Sequence, residues 1–310
     1  MKHQVLAIVG PTAVGKTDLS LRLAEELNGE IISGDALQVY RGLDIGTAKA
    51  TPAERRQIPH HLIDIRDVDE RYSAYDFQQE AQELIEKISA QGKLPIIVGG
   101  TGFYLAGLLK NWSLGGRAYN EAQKIRNELY AELEQIGPQK MWQRLAQLDP
   151  IAAAKIPVNN HRRIIRALEV IKQTGGLFSK QQQEPAPYDA LVIGLTCPRD
   201  LLYQRINYRV KLMFTQGLPQ EAAWLFDRVD ATAQSAKGIG YREWVAYFAG
   251  EKTQQQVLTQ IQRDSRHYAK RQLTYFRHQL PTQWFDLLTK PRLDQLRLQR
   301  ALQRWQQSAE

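Results

Sequence analysis

The sequence has little cysteine and no long apolar segment. One cysteine, Cys197, occurs among 310 residues, which excludes an internal disulfide framework and a cysteine metal cluster. No apolar run approaches the ~20 residues of a membrane-spanning helix. Met1-Lys-His-Gln leads directly into an apolar run without the pattern of a secretory signal. We therefore expect a cytoplasmic protein without a membrane partner, and the length indicates one large domain or two smaller ones.

Charge is unevenly distributed along the chain. Residues 1–116 carry 12 basic and 15 acidic side chains, whereas residues 237–310 carry 13 basic and 6 acidic ones. A basic C-terminal part joined to a mildly acidic first part favours a polyanionic partner such as a nucleic acid. A solvated basic helix face would give the same composition and stays open as an alternative.

The segment GPTAVGKT at 10–17 fits the phosphate-binding pattern G-x-x-x-x-G-K-[ST] without a mismatch. An apolar run precedes it and a helical pattern follows, which is the strand–loop–helix context that the pattern requires. Its glycines let successive backbone N–H groups face one anion. Lys16 adds a positive charge, and Thr17 can hold a phosphate-bound Mg²⁺. The predicted phosphate-binding residues are Gly10, Pro11, Thr12, Ala13, Val14, Gly15, Lys16 and Thr17.

The first third alternates strand-like and helix-like segments, which predicts a parallel sheet with covering helices. From about residue 119 to 172 the pattern is helical, with breaks at Gly137-Pro138, Asp149-Pro150 and Pro157. The predicted strands are 5–9, 30–33, 59–64, 94–98 and 191–197, and the first two predicted helices are 18–27 and 76–90.

These segments predict an α/β fold with a P-loop core and a helical insertion. After the last predicted strand the chain is expected to be helical almost to its end. In the final segment, Leu298, Leu302 and Trp305 would share one helix face, whereas Leu293 and Leu296 would lie off it. The predicted parts are core 1–116, helical insertion 117–189, core completion 190–280 and C-terminal tail 281–310.

Two strand ends bear on the chemistry of the phosphate site. The strand 94–98 ends in Gly99-Gly100-Thr101, with no carboxylate of the kind that helps a P-loop ATPase to hold Mg²⁺. A glycine-rich strand end permits close backbone approach, and it places Thr101 where ligands bind in open α/β sheets. Asp35 follows the strand 30–33, where its carboxylate can be a Mg²⁺ ligand or a general base.

Several blocks in a fixed order resemble the tRNA dimethylallyltransferases, also called tRNA isopentenyltransferases. The first blocks are GPTAVGKT at 10–17, IISGDALQVYRGLDIGTAK at 31–49, PHHLIDI at 59–65 and YSAYDF at 72–77. The others are IIVGGTGFY at 96–104, RRIIRALEV at 162–170, GIGYREW at 238–244 and YAKRQLTYFR at 268–277. The chain departs from the family pattern at Ala36, where a serine is usual, and at Tyr275, where a tryptophan is frequent.

The resemblance implies transfer of a dimethylallyl group from dimethylallyl diphosphate to the exocyclic amino group of an adenosine. That adenosine lies just 3′ of the anticodon in tRNAs that read codons beginning with U. The P-loop would then hold a leaving diphosphate with Mg²⁺, held in part by Thr17, and the enzyme is expected to be a monomer. Catalytic roles are implied for Lys16, Asp35, Thr101 and Arg209, with Arg205 as a weaker candidate for the diphosphate.

Contacts with tRNA are expected at several places along the chain. Lys270, Arg271 and Arg277 would extend the basic surface toward backbone phosphates, and the segment 238–243 is a further candidate. The implied tRNA-binding residues are Asp35, Ala36, Leu37, Gln38, Thr101, Arg126, Arg162, Arg163, Ile164, Ile165 and Arg166. Two other functions compete with this one: a P-loop kinase for a small molecule or nucleotide, and an RNA-binding module without catalysis.

Overall fold

One parallel sheet organises most of the chain. Within the residues that the computed structural model describes, 2–114, 119–180 and 186–307, the sheet has six strands. They are β1 (His3–Val9), β2 (Gly29–Ser33), β3 (His60–His61), β4 (Leu94–Gly99), β5 (Tyr188–Leu195) and β6 (Gln283–Phe285). Their order is β3-β2-β4-β1-β5-β6, and every pair is parallel. The predicted α/β fold is therefore confirmed, and all the carboxyl ends of the strands lie at one edge.

The helices follow the predicted alternation in the first third of the chain. In chain order they are α1 (Lys16–Glu26), α2 (Pro52–Gln57), α3 (Ala74–Ala90), α4 (Gly102–Leu109), α5 (Tyr119–Leu148), α6 (Pro150–Lys155), α7 (His161–Thr174), α8 (Arg199–Gln216), α9 (Leu218–Phe226), α10 (Val245–Phe248), α11 (Gln254–Gln279) and α12 (Pro291–Gln307). None of these helices in the described ranges is long and apolar enough to cross a membrane.

The chain divides into two compact units. One comprises Met1–Asn111 and Pro185–Glu310, and the other is Trp112–Glu184. The boundary predicted at 116/117 lies outside the described residues. The boundary predicted at 189/190 falls inside β5, because this strand already begins at Tyr188.

The core of the first unit surrounds the second half of β1. Val5 to Val9 have no exposed surface, because β1 lies between β4 and β5 and helices cover the sheet. The last segment belongs to this core: Leu298, Leu302 and Trp305 of α12 are buried in the cluster that contains Leu6 and Ile8 of β1.

The predicted tail is therefore corrected. β6 pairs with β5, so the segment after residue 280 contributes a strand to the sheet and is not a separate tail. Leu293 and Leu296 are exposed while the predicted apolar face is buried, which confirms the helix face that the spacing indicates.

The second unit is helical, as predicted. Gly137 interrupts α5 with a φ of 79°, a conformation that favours glycine. Asp149 caps α6 by accepting the N–H of Ala152 at 3.0 Å, directly before Pro150. Both helix breaks lie at the predicted positions. Residues from α5, α6 and α7, including Met141, Leu145 and Leu168, form a separate apolar core.

Candidate active site

The loop between β1 and α1 brings a cation to the carboxyl edge of the sheet. Gly15 has a φ of 103°, and α1 begins at Lys16, so the loop lies at a helix N-terminus that attracts anions. Nζ of Lys16 donates hydrogen bonds to the carbonyl oxygens of Gly10 at 3.0 Å and Pro11 at 2.8 Å. Desolvation and the neighbouring Arg209 guanidinium lower the pKa of Lys16 to about 7. A bound anion would favour the charged form of this lysine.

Two arginines of α8 face the same loop. Nε of Arg205 donates to the carbonyl oxygen of Ala13 at 2.8 Å, and Nη1 of Arg209 donates to Oγ1 of Thr12 at 3.4 Å. Burial, together with the charge of Arg205, lowers the pKa of Arg209. Arg209, predicted to contact the diphosphate, thus lies against the loop between β1 and α1, and Arg205 joins it one helical turn away.

The ends of β2 and β4 hold the predicted acid and hydroxyl. Oδ1 of Asp35 accepts the backbone N–H of Leu37 at 2.9 Å, and Oγ1 of Thr101 accepts the backbone N–H of Ala36 at 3.1 Å. Burial raises the pKa of Asp35, and the Leu37 N–H and the charge of Lys16 act against this shift. The hydroxyl of Thr101 binds the main chain of residue 36, so replacement of the usual serine by Ala36 leaves this contact intact.

These groups line one cavity of about 410 Å³. The phosphate loop and the arginines of α8 contribute positive charge, and the ends of β2 and β4 contribute a carboxylate and a hydroxyl. A polyphosphate group and a nucleophile can therefore meet in one place, with a base beside the nucleophile. The polar residues that carry this argument are Lys16, Thr17, Asp35, Thr101, Arg205 and Arg209.

Helix α11 adds cavity residues that the sequence reasoning missed. Tyr268 donates from its hydroxyl to the carbonyl oxygen of Gly100 at 3.5 Å, and burial raises the pKa of Tyr268 to about 12. Gln272 also lines the cavity. Both residues belong to the block YAKRQLTYFR. Only the basic residues of this block were predicted to be functional, because their charge indicates contact with phosphates.

Basic side chains also surround the cavity mouth. Lys237, Arg242 and Arg271 line it and are exposed. Lys237 directly precedes the candidate segment 238–243, Arg242 lies within it, and Arg271 is itself one of the predicted basic residues. Lys270 and Arg277 are exposed on α11 as expected.

The loop that carries Asp35 is anchored by internal contacts. Gln38, a predicted tRNA-binding residue, accepts from Oγ of Ser33 at 2.8 Å and donates to the carbonyl oxygen of Thr47 at 3.2 Å. Nζ of Lys49 binds the carboxylates of Asp44 and Asp64, each at 2.6 Å, and is almost fully buried. The side-chain amide of Gln38 is therefore engaged in contacts that hold this loop in place. Leu37 lines the cavity together with Ala36.

The second unit holds the other predicted tRNA-binding residues. Glu169, which is fully buried, accepts Nε and Nη2 of Arg126 at 2.7 and 3.0 Å and also pairs with Arg166. The side chains of Arg126 and Arg166 remain about one third exposed, at 33% and 32%. Arg162 and Arg163 are exposed on the first turn of α7.

Two neighbours of these arginines have a different place. Ile164 and Ile165 are each 1% exposed and pack in the apolar core of the second unit. Their side chains therefore hold α7 in place, and we correct the expectation of tRNA contact for these two side chains.

The predicted Mg²⁺ position at Thr17 suits a metal ion that binds together with a substrate phosphate. In the part of the chain that the structure describes, no group of three or more His, Cys, Asp or Glu side chains is placed to hold a metal ion. Mg²⁺ commonly binds one or two protein oxygens together with substrate phosphates and water. Thr17 and Asp35 line the cavity and supply such oxygens.

Comparison with known proteins places this site in a family. A family model described as IPP transferase matches residues 38–279. The chain is 52% identical to a tRNA dimethylallyltransferase of Latilactobacillus sakei over 307 residues, which is 99% of each chain. It is 55% identical to a tRNA dimethylallyltransferase of Limosilactobacillus fermentum over 288 residues, covering 93% of this chain and 94% of the relative.

Solved structures agree with the sequence comparison. A full-length tRNA isopentenylpyrophosphate transferase of Bacillus halodurans has a TM-score of 0.73 and 44% identity, covering 99% of both chains. A eukaryotic dimethylallyltransferase acting on tRNA has a TM-score of 0.81 and 29% identity, covering 96% of this chain and 77% of that one. The extent of the family match and the identity of these near-full-length relatives lead to one conclusion: this chain belongs to the IPP transferase family.

Proposed function

We propose that this chain transfers the dimethylallyl group of dimethylallyl diphosphate to the exocyclic amino group of an adenosine in tRNA. One observation carries the proposal: the cations of the phosphate loop and α8 line the same cavity as the Asp35 carboxylate. A diphosphate can bind at the first group while an amine is deprotonated at the second. The relatives named tRNA dimethylallyltransferase support the same reaction, and they give no support to the kinase alternative.

The residues of the cavity have complementary parts in this reaction. The allylic C–O bond breaks, the C–N bond to the adenine amino group forms, and the amino group loses one proton. Lys16, Arg205 and Arg209 stabilise the negative charge that develops on the leaving diphosphate. Mg²⁺ bound with the donor, held in part by Thr17, supplies further positive charge there. Burial makes the Asp35 carboxylate a stronger base for the departing proton, because it raises the pKa of that carboxyl.

The acceptor must leave its base stack to reach this cavity. We infer that it is the adenosine 3′-adjacent to the anticodon in tRNAs that read codons beginning with U, as the family resemblance implies. Exposed Lys237, Arg242 and Arg271 at the cavity mouth suit the phosphates that flank an extruded nucleotide. We also expect the protein to be a monomer and to work in the cytoplasm.

One incorporation assay tests this function against its rivals. The protein is incubated with labelled dimethylallyl diphosphate, Mg²⁺ and an unmodified anticodon stem-loop, and label in the RNA is counted. We expect incorporation, and none into a stem-loop whose target adenosine is replaced by guanosine. No label in RNA from folded protein would contradict the proposal, and ATP consumption without RNA would favour a kinase. RNA binding that is unaffected by Lys16→Ala, without any transfer, would indicate a binding module.

A further inference from the structure

The side-chain amide of Gln272 connects the two loops of the cavity. Gln272 belongs to α11 and is 5% exposed. Its Oε1 accepts the backbone N–H of Thr12 at 3.2 Å, and its Nε2 donates to the carbonyl oxygen of Gly100 at 2.9 Å. One amide therefore binds the phosphate loop with its acceptor and the loop after β4 with its donor.

The polarity of this bridge requires an amide. A reversed amide would set Nε2 against the N–H of Thr12 and Oε1 against the carbonyl oxygen of Gly100. A carboxylate can accept from Thr12 but has no proton for Gly100. The approach is also close: a Cβ atom on Gly100 would lie 2.2 Å from Nε2 of Gln272. Glycine at this position thus makes room for the amide.

Thr12 and Gly100, the two residues that Gln272 binds, are each connected to a group with a proposed role in the reaction. Thr12 also accepts a hydrogen bond from Arg209, to which the proposed function assigns the leaving diphosphate. Gly100 precedes Thr101, whose hydroxyl holds the backbone of Ala36 beside Asp35. The Thr12 N–H donates to Gln272, so this bond fixes the loop to α11. The distance between the two halves of the cavity therefore depends on the length of the Gln272 side chain.

We propose that Gln272 is a positioning residue that sets the spacing between the diphosphate-binding loop and the loop of the acceptor side. This inference rests on the proposed function. Transfer needs the allylic carbon and the amino nitrogen at near-contact distance, and an error of about 1 Å can cost on the order of 100-fold in rate. Loss of the bridge should therefore lower kcat more than it weakens the binding of either substrate.

The chain offers a matched control for the test. Gln262 lies on the same helix, and its Nε2 donates to the carbonyl oxygen of Asn207 at 3.0 Å, away from both loops. Gln262→Met and Gln272→Met each remove one side-chain amide and replace glutamine by a residue of similar length. Gln272→Glu keeps the acceptor for Thr12 and places a second oxygen opposite Gly100.

The experiment measures kcat and KM for donor and stem-loop at a temperature where thermal unfolding curves show every variant folded. The number of donor-binding sites per chain gives the intact fraction. We expect kcat of Gln272→Met to fall at least about 10-fold while each KM changes by less than about 3-fold, and Gln272→Glu to be slower still. Gln262→Met should stay within about twofold of wild type, because it spares both loops.

Three outcomes would overturn the inference. The first is an equal kcat for Gln272→Met and Gln262→Met. The second is a loss of kcat that matches the loss of donor-binding sites, since that describes an unfolded fraction. The third is Gln272→Glu performing better than Gln272→Met. Absence of transfer by the wild-type protein is a separate result that contradicts the proposed function itself.

Discussion

Binding of the prenyl donor is expected to take up a proton at Lys16. Desolvation, followed by the charge of Arg209, lowers the pKa of this lysine to about 7 in the free protein. A diphosphate beside Nζ favours the ammonium form and raises the pKa again. At pH 8 a group with a pKa of 7 is only about one tenth protonated, so binding should take up about 0.9 proton. At pH 6 the same group is already about nine tenths protonated, and uptake should be about 0.1 proton.

The sign of the pH dependence follows from this uptake. The free protein loses the Lys16 proton as the pH rises through 7, whereas the complex retains it. Donor affinity should therefore weaken by about tenfold per pH unit above pH 8. Lys16→Arg is the matched variant, because a guanidinium stays charged throughout this range.

Calorimetric titration with dimethylallyl diphosphate, without RNA, measures the uptake. Two buffers with different ionisation enthalpies give different apparent heats, and their difference yields the number of protons bound. Protons exchanged by Asp35 or by the ligand contribute to wild type and Lys16→Arg alike, so subtraction isolates Lys16. Equal proton numbers for the two proteins at pH 8 would refute the lowered pKa. Tight donor binding whose affinity is independent of pH from 7 to 9 would refute it as well.

Three further changes test the site and the two cores. Asp35→Asn should lower the transfer rate by at least about 100-fold while calorimetry still detects donor binding, because the amide cannot accept the proton; an unchanged rate would exclude a base at this position. Glu169→Ala removes the buried partner of two arginines whose side chains are about one third exposed, and it should lower the free energy of unfolding by about 2 kcal/mol in urea denaturation. Leu302→Ala should cost about 2–5 kcal/mol in the same measurement, whereas Leu293→Ala on the exposed face should cost less than about 0.5. Equal losses for the two leucines would mean that α12 does not pack on the core.

Local pattern predicted the phosphate loop because its structure is set within a few residues. The glycine spacing, the preceding apolar run and the following helix together define a strand, a turn and a helix N-terminus. Asp35 and Thr101 were also predictable, since parallel strands place their carboxyl ends at the same edge. Gln272 was missed for the opposite reason. Its partner Thr12 lies 260 positions away, and no local pattern marks an amide that bridges two loops.

The other differences also have physical causes. β6 has three residues, so it shows no usable alternation, and its pairing with β5 makes it a strand. Ile164 and Ile165 were assigned to tRNA because they lie within a matching block. Their apolar character already indicated the buried face of an amphipathic helix, where Leu168 joins them in the core.

The two glycines at the end of β4, Gly99 and Gly100, explain why a phosphate loop can serve a transferase. A P-loop ATPase places a carboxylate at such a strand end to help bind Mg²⁺. Here a Cβ on Gly99 would lie 2.3 Å from the carbonyl oxygen of Gly34, and one on Gly100 would collide with Gln272. A side chain at Gly99, and hence a carboxylate, would require the backbone to move, and one at Gly100 would displace the Gln272 amide. The close approach instead brings the ends of β2 and β4 together, so that Thr101 bonds to the main chain beside Asp35. The same packing that removes the metal ligand of an ATPase thus assembles the acceptor side of the cavity.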